Sequence, residues 1–125
     1  MNKIEIKGYF KNDDTNTIIN YDCHGEKNSN NISFKSENDI LTIDIKKDEI
    51  IFKRENDDIV MIYNLILGKT TTNNSYKLKK ENMEFNFEIT TTRIIIEENK
   101  LNIEFELVNI DKNCKYQLNI NYKVV

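Results

Sequence analysis

The segment Tyr76–Val125 contains three runs that decide the fold: Met83-Glu-Phe-Asn-Phe-Glu-Ile89, Leu101-Asn-Ile-Glu-Phe-Glu-Leu107 and Tyr116-Gln-Leu-Asn-Ile-Asn-Tyr122. Apolar and polar residues alternate in each run almost without error. Successive side chains of a β-strand point to opposite faces, so this alternation is typical of a strand with one buried face and one solvated face. The segment therefore predicts consecutive β-strands separated by short polar turns.

Shorter runs of the same kind precede this segment. They cover Ile4–Phe10, Ile18–His24, Ile32–Phe34, Leu41–Ile45, Ile50–Arg54 and Thr70–Leu78. Gly8 lies inside the first run, where a strand glycine often marks a bend or a close approach of another backbone. The polar stretch Gly25–Asn31 is predicted to be a loop, and the last predicted turn is Asp111–Asn113.

The most apolar run of the chain, Ile59–Leu67, allows two interpretations. Asp58 could cap a helix there and Gly68 could end it. Its β-branched residues and the turn-like residues on both sides favour a strand.

The predicted connections are all short, which makes consecutive strands antiparallel neighbours in a meander. We count nine or ten strands, and a meander of this size usually curls until its two edges meet. The sequence therefore predicts one domain, residues 1–125, in which an antiparallel meander closes into a β-barrel of eight to ten strands.

Composition excludes some classes of protein. The chain has 16 Lys but a net charge of −3 and no long basic run, which argues against a nucleic-acid partner. No apolar run approaches the roughly 18 residues that a membrane-spanning helix needs, and the first residues lack the apolar core of a signal peptide. We expect a cytoplasmic protein with no membrane partner, in which Cys23 and Cys114 are reduced thiols.

No arrangement of residues predicts catalysis. The single histidine, His24, follows Cys23, and adjacent strand residues point to opposite faces, so the two cannot readily share a metal ion. The three glycines form no phosphate-binding loop, and no serine lies in a nucleophile-elbow pattern. We expect no enzyme activity, no catalytic residue, no metal and no cofactor.

The candidate ligand-binding residues are Arg54, Tyr63, Tyr76 and Tyr122. Arg54 shares the apolar side of its strand, where a guanidinium group could either close one end of the barrel or bind an anionic head group. The tyrosines are predicted to point inward, together with Tyr116, Phe52, Phe85, Phe87 and Phe105. A barrel of this width is either filled by such side chains or holds one small ligand, and the number of rings favours a mostly filled interior.

The order of motifs resembles the YwiB-like family of small bacterial proteins. The residues that carry the resemblance are Gly25, Ile50-Ile-Phe52-Lys-Arg54, Met61, Tyr76, Phe85-Asn-Phe-Glu-Ile89, Thr91, Ile94, Leu101-Asn-Ile-Glu-Phe105 and Leu118-Asn-Ile-Asn-Tyr122. The resemblance implies a calycin (lipocalin-like) barrel. It implies no activity, since none is established for the family.

Two functions follow as expectations. The first is a binding protein that takes a small apolar or amphipathic ligand in the barrel, with Arg54 and a tyrosine at the polar end. The second is a non-catalytic protein-interaction module with a packed core, for which a homodimer is the simplest form. An interior cavity would favour the first, and a filled interior beside an exposed apolar patch would favour the second.

Overall fold

The computed structural model describes residues 2–108 and 113–125. The predicted turn at Asp111–Asn113 lies mostly outside these residues. The strands are β1 (Asn2–Asn12), β2 (Thr17–Asn28), β3 (Asn31–Ser36), β4 (Asp39–Ile45), β5 (Ile50–Glu55), β6 (Ile59–Leu65), β7 (Thr70–Leu78), β8 (Met83–Glu97), β9 (Lys100–Val108) and β10 (Cys114–Val124). Within the described residues no helix is long and apolar enough to cross a membrane.

The ten strands form one closed barrel in which each strand pairs with its neighbours in the chain. All of these pairings are antiparallel, and β1 completes the ring by pairing with β10 from Ile4↔Val124 to Asn12↔Tyr116. The predicted antiparallel meander closed into a barrel is confirmed, at the upper end of the expected strand number. Gly8 pairs with Ile120 in this seam, and a Cβ on Gly8 would overlap the Asn119 carbonyl oxygen, so the predicted close approach of backbone is confirmed.

Two stretches, one left open between helix and strand and one predicted to be a loop, form strand in the structure. Ile59–Leu65 forms β6, so the helix alternative for this run is wrong. The predicted loop at Gly25–Asn31 is also wrong, because β2 continues to Asn28 and pairs with β3 down to Asn28↔Asn31. Only two residues are needed to turn the chain here, and Ser29 takes the left-handed conformation with φ of 55°. The polar composition reflects a strand end at the rim of the barrel, where both faces are wet.

The interior of the barrel is filled by aromatic rings that meet across its axis. Phe10 of β1 contacts Phe52 of β5 with ring centroids 5.6 Å apart, and Tyr63 of β6 contacts Phe105 of β9 at 5.7 Å. Phe10 and Phe105 are themselves 6.3 Å apart. Such pairs add to the stabilisation that comes from removing apolar surface from water. The predicted filling of the interior by inward rings therefore holds at this level of the barrel.

A buried polar network supports an irregular stretch of β7, where the register shifts between Thr71 and Asn74. The Asn64 backbone N–H donates to the Asn74 side-chain oxygen at 2.7 Å, and the Thr71 hydroxyl donates to the Asn64 carbonyl at 2.6 Å. The Asn74 amide nitrogen donates to the carbonyl of Phe87 at 3.1 Å. These bonds satisfy backbone groups that the bulge would otherwise leave unpaired in a buried position.

Phe85 corrects the predicted inward set, because this residue is 48% exposed whereas Phe105 is only 1% exposed. Phe85 has the same parity as buried Ile89, but it lies near the start of β8, and the described pairing of β8 with β9 begins only at Glu88. The inward face of β8 therefore continues past the packed core.

We predict that Phe105→Ala lowers the free energy of unfolding by about 3–5 kcal/mol, because it removes a buried ring and leaves a cavity. The matched change Phe85→Ala should lower the free energy of unfolding by less than about 1 kcal/mol, because Phe85 is already 48% exposed and its ring buries little surface. Urea denaturation of both variants measures the difference. Equal losses in the two variants would contradict the assignment of Phe85 to the rim.

Candidate functional site

The two ends of the barrel carry different chemistry. Alternate turns of an up-and-down barrel lie at the same end, so the turns after β1, β3, β5 and β7 form one end and the turns after β2, β4, β6 and β8 form the other. We call the first the arginine end, because Arg54 lies there beside the turn after β5, and the second the lysine end, because Lys46, Lys47 and Lys69 lie there.

Arg54 connects the end of β5 to the start of β4. Its Nε donates a hydrogen bond to Asp39 Oδ2 at 2.9 Å, and the Asn56 side-chain amide donates to Asp39 Oδ1 at 2.7 Å. The side chains of Arg54 and Asp39 are 22% and 17% exposed, so the ion pair is mostly shielded from water. Asp39 thus offsets the guanidinium charge, and of the two roles expected for Arg54 the geometry favours closing the barrel end.

Two buried tyrosines lie near this ion pair. The Tyr21 ring is 3% exposed, and its hydroxyl has no hydrogen-bond partner among residues 2–108 and 113–125. Burial raises the pKa of Tyr21 above its ordinary value, and the nearby Arg54 charge opposes this rise. Burial also raises the pKa of Tyr63, which lies close to the phenols of Tyr116 and Tyr76. Both phenols are therefore neutral in the folded protein at neutral pH.

Three of the four candidate residues, Arg54, Tyr63 and Tyr76, lie close together at the arginine end, in two successive inward-facing rows of cross-strand neighbours. Arg54 pairs with Met61, Met61 pairs with Tyr76, and Tyr63 pairs with Phe52 in the next inward row.

Tyr122 is separate from these three residues. It pairs with Ile6, and its backbone N–H donates to the carbonyl of Asn99 in the turn after β8, which lies at the lysine end. The four residues therefore do not form one site.

A groove with a cavity volume of about 460 Å³ lies at the lysine end. We call it the rim groove. Its floor is formed by aliphatic side chains, namely Ile50, Ile66, Leu67, Ile94 and Ile96. Leu67 and Ile96 are each 54% exposed. The groove is therefore an accessible apolar surface of the size that small-ligand sites usually have, about 300–1,000 Å³.

A β-bulge in β8 creates this floor. The register of β8 against β9 shifts between Thr91 and Arg93, so the inward positions are Ile89 and Thr91 before the bulge but Ile94 and Ile96 after it. The described pairing of β7 with β8 ends at Thr70↔Thr90. The inward side of β8 beyond this point is bordered by the β6–β7 loop instead of a strand, which leaves Ile94 and Ile96 facing the groove.

The β6–β7 loop is fixed against β8 by backbone hydrogen bonds. The Gly68 N–H donates to the Thr91 carbonyl at 2.8 Å, and the Thr91 N–H donates to the Lys69 carbonyl at 3.2 Å. Gly68 has φ of 75°, a conformation that glycine adopts without a steric penalty. This loop places Leu67 and Lys69 on one wall of the rim groove.

Lysines surround the apolar floor of the rim groove. Lys46 and Lys47 come from the turn between β4 and β5, and Lys69 comes from the β6–β7 loop. None of the three makes an ion pair with a described residue. Asp48 and Glu49 line the same groove, so three positive and two negative side chains give a local net charge of +1 on a chain of net charge −3.

The rim groove was not predicted from the sequence, although one signal for it is visible there. The apolar residues of β8 occupy odd positions up to Ile89, whereas Ile94 and Ile96 are at even positions. Such a change of parity inside one strand is the pattern that a bulge produces. The meeting of β8 with the β4–β5 turn is a long-range contact that no local pattern indicates.

Groups that could carry catalysis or bind a metal lie apart in the described structure. No cluster of three or more His, Cys, Asp or Glu side chains with the geometry of a metal site occurs within residues 2–108 and 113–125. The His24 side chain is 75% exposed and lies 3.7 Å from Glu5. Cys23 and Cys114 are half-buried free thiols, and burial raises the pKa of Cys23.

These observations define a small closed antiparallel barrel with a packed interior and two chemically different ends. Its fold is similar to the crystal structure of the ywiB protein from Bacillus subtilis, with a TM-score of 0.66 and 16% sequence identity, over 98% of this chain and 90% of that chain. The predicted resemblance to a YwiB-like fold is confirmed. At 16% sequence identity, the similarity shows a shared fold and nothing about function. No protein-family model and no curated protein matches the sequence.

The unpaired Tyr21 hydroxyl leads to a prediction for Tyr21→Phe. Because the hydroxyl is buried without a partner, its removal should leave the free energy of unfolding unchanged or raise it by up to about 1–3 kcal/mol. Denaturant unfolding measures the change, and Tyr9→Phe on the outer face of β1 is the control. A loss of more than about 1 kcal/mol would show that the hydroxyl makes a hydrogen bond in the folded protein.

The ion pair at the arginine end predicts a measurable coupling between Asp39 and Arg54. A double-mutant cycle with Asp39→Asn and Arg54→Met should give a coupling free energy of about 1–2 kcal/mol. This value lies between those typical of exposed and of buried ion pairs. The exposed pair Lys80–Asp58, with N and O 3.1 Å apart, is the control and should show no coupling beyond experimental error. A coupling free energy for Asp39 and Arg54 as small as that of the control would mean that this pair does not stabilise the folded barrel.

Proposed function

We propose that the protein is a non-catalytic binding protein that takes a small amphipathic ligand at the lysine end of the barrel. The observation that carries this proposal is the rim groove, which combines an aliphatic floor with three lysines that make no ion pair with a described residue. The proposal keeps the expected class of ligand but moves the site from the interior of the barrel to its rim.

The packed interior supports this location. Phe10, Phe52, Tyr63 and Phe105 contact one another across the barrel axis, so a ligand inside would have to displace rings from a close-packed core. The arginine end offers less, because Arg54 is engaged by Asp39. A ligand at the rim groove displaces no buried side chain and covers apolar surface that is otherwise in water.

The alternative is a protein-interaction module in which a second copy of the chain covers the same groove. Exposed Leu67 and Ile96 favour this alternative, since exposed aliphatic residues in one patch often mark a protein contact. The groove is small for a stable dimer, because specific interfaces bury about 800 Å² on each partner. We therefore place the small ligand first. The cytoplasmic location and the lack of a nucleic-acid or membrane partner stay predictions.

Native mass spectrometry of the protein purified from its own host tests the proposal. We expect a reproducible adduct on the wild type and its loss in Ile96→Asn, because a polar side chain in the floor disfavours an apolar ligand. Phe85→Asn is the matched control, since Phe85 is exposed to a similar extent but lies at the arginine end.

Three outcomes would contradict the binding of a small ligand at the rim groove. The first is a bare monomer mass under gentle ionisation, and the second is an adduct that Ile96→Asn retains. The third is a dimer mass that Ile96→Asn abolishes, which would favour the interaction module.

A further inference from the structure

We propose that the ligand of the rim groove is a single-chain anionic amphiphile, with its alkyl chain on the aliphatic floor and its charged head at the lysines. This inference rests on the function proposed above and names the ligand class of the same site.

The floor of the groove indicates an alkyl chain. The side chains that form it, Ile50, Ile66, Leu67, Ile94 and Ile96, are all branched aliphatic residues. A planar ring would be held by stacking on aromatic side chains, and a sugar would need fixed hydrogen-bond donors and acceptors. The floor supplies neither, whereas the contact of methylene groups with branched aliphatic side chains needs no fixed direction.

The lysines indicate an anionic head group. At the arginine end, Lys79 lies 3.0 Å from Glu55 and Lys80 lies 3.1 Å from Asp58, so these charges are offset within the protein. The ammonium groups of Lys46, Lys47 and Lys69 have no such ion pair among the described residues.

The acidic neighbours of the groove reduce this positive charge without removing it. Asp48 and Glu49 leave the groove with one net positive charge, which one carboxylate would neutralise. Lysine is a flexible point charge, so it suits such a head without requiring one fixed orientation.

The depth of the groove limits the chain length. Ile50 is only 2% exposed, and both its strand partner Leu65 and the next inward residue of β5, Phe52, are fully buried. The alkyl chain therefore cannot continue into the barrel and must lie across the rim. A cavity of about 460 Å³ is in the lower half of the usual range for small ligands, which fits one chain better than two. Affinity should therefore rise with chain length and then level off once the floor is covered.

Isothermal titration calorimetry with hexanoate, octanoate, decanoate and dodecanoate, each below its micelle concentration, tests the inference. We expect the affinity to rise by up to about four-fold per added methylene, which corresponds to ~0.8 kcal/mol of transfer free energy, before it levels off. Octanol and octylamine should bind more weakly than octanoate, and added salt should reduce this preference.

Paired variants separate the two parts of the site. Ile96→Asn should flatten the dependence on chain length. The double variant Lys46→Gln/Lys69→Gln should remove the preference for octanoate over octanol but keep the chain-length dependence. Lys79→Gln/Lys80→Gln changes the charge by the same amount at the arginine end and should bind like the wild type.

Several results would overturn the inference. They are affinities independent of chain length, equal binding of octanol and octanoate, equal losses in the control variant, and binding to phosphatidylglycerol vesicles without binding to free carboxylates. A host-derived adduct that depends on Ile96 together with flat carboxylate titrations would reject the alkyl chain while keeping the proposed function. If neither a host-derived adduct nor a chain-length dependence is found, the alkyl-chain ligand and the proposed function are both rejected.

Discussion

The closed ring of strands depends on the pairing of β1 with β10. This seam joins the two ends of the described chain through nine residue pairs, from Ile4↔Val124 to Asn12↔Tyr116. Gly8 is essential to it, because any larger residue would overlap the Asn119 carbonyl oxygen of the facing strand. An open sheet of the same strands would expose two edges and one continuous apolar face to water. Burial of the inward residues on all ten strands is therefore a consequence of this one contact.

Closure also determines where binding chemistry can lie. Rings from β1, β5, β6 and β9 meet across the axis, so the interior contributes stability and leaves no room at that level. The outer face is strongly polar, with many charged residues at alternate positions. The ends remain, and they differ because the arginine end is engaged in internal hydrogen bonds whereas the lysine end has an uncovered aliphatic floor. The bulge of β8 produces this difference by turning Ile94 and Ile96 inward beyond the last residue that β7 covers.

Alternation in the sequence was sufficient to predict the strands, their order and most of the buried set, such as Ile103 and Ile120. Alternation did not predict the exposure of a residue where that exposure depends on how far a neighbouring strand extends. Phe85 has inward parity, but parity does not reveal that the packed core ends before it. The grouping of Tyr122 with Arg54 failed for a related reason, since facing inward does not specify an end of the barrel. The rim groove was missed because its walls come from segments that are distant in sequence and meet only after closure.

The composition of the chain offers a simpler origin for a groove made of isoleucine and lysine, since 20 Ile and 16 Lys make such neighbours frequent by chance. Composition does not, however, determine position. Ile96 lies on the inward side of β8, beyond the last residue of β8 that pairs with β7, and it is 54% exposed. A polar side chain at this position would be solvated by water at no cost. Lys79 and Lys80 at the arginine end are paired with carboxylates, whereas Lys46, Lys47 and Lys69 make no ion pair with a described residue. Exposed apolar side chains and unpaired like charges both disfavour the isolated protein, and one bound anionic amphiphile would relieve both. The arrangement of these residues, and not their number, is therefore what supports our proposal of binding at the rim groove.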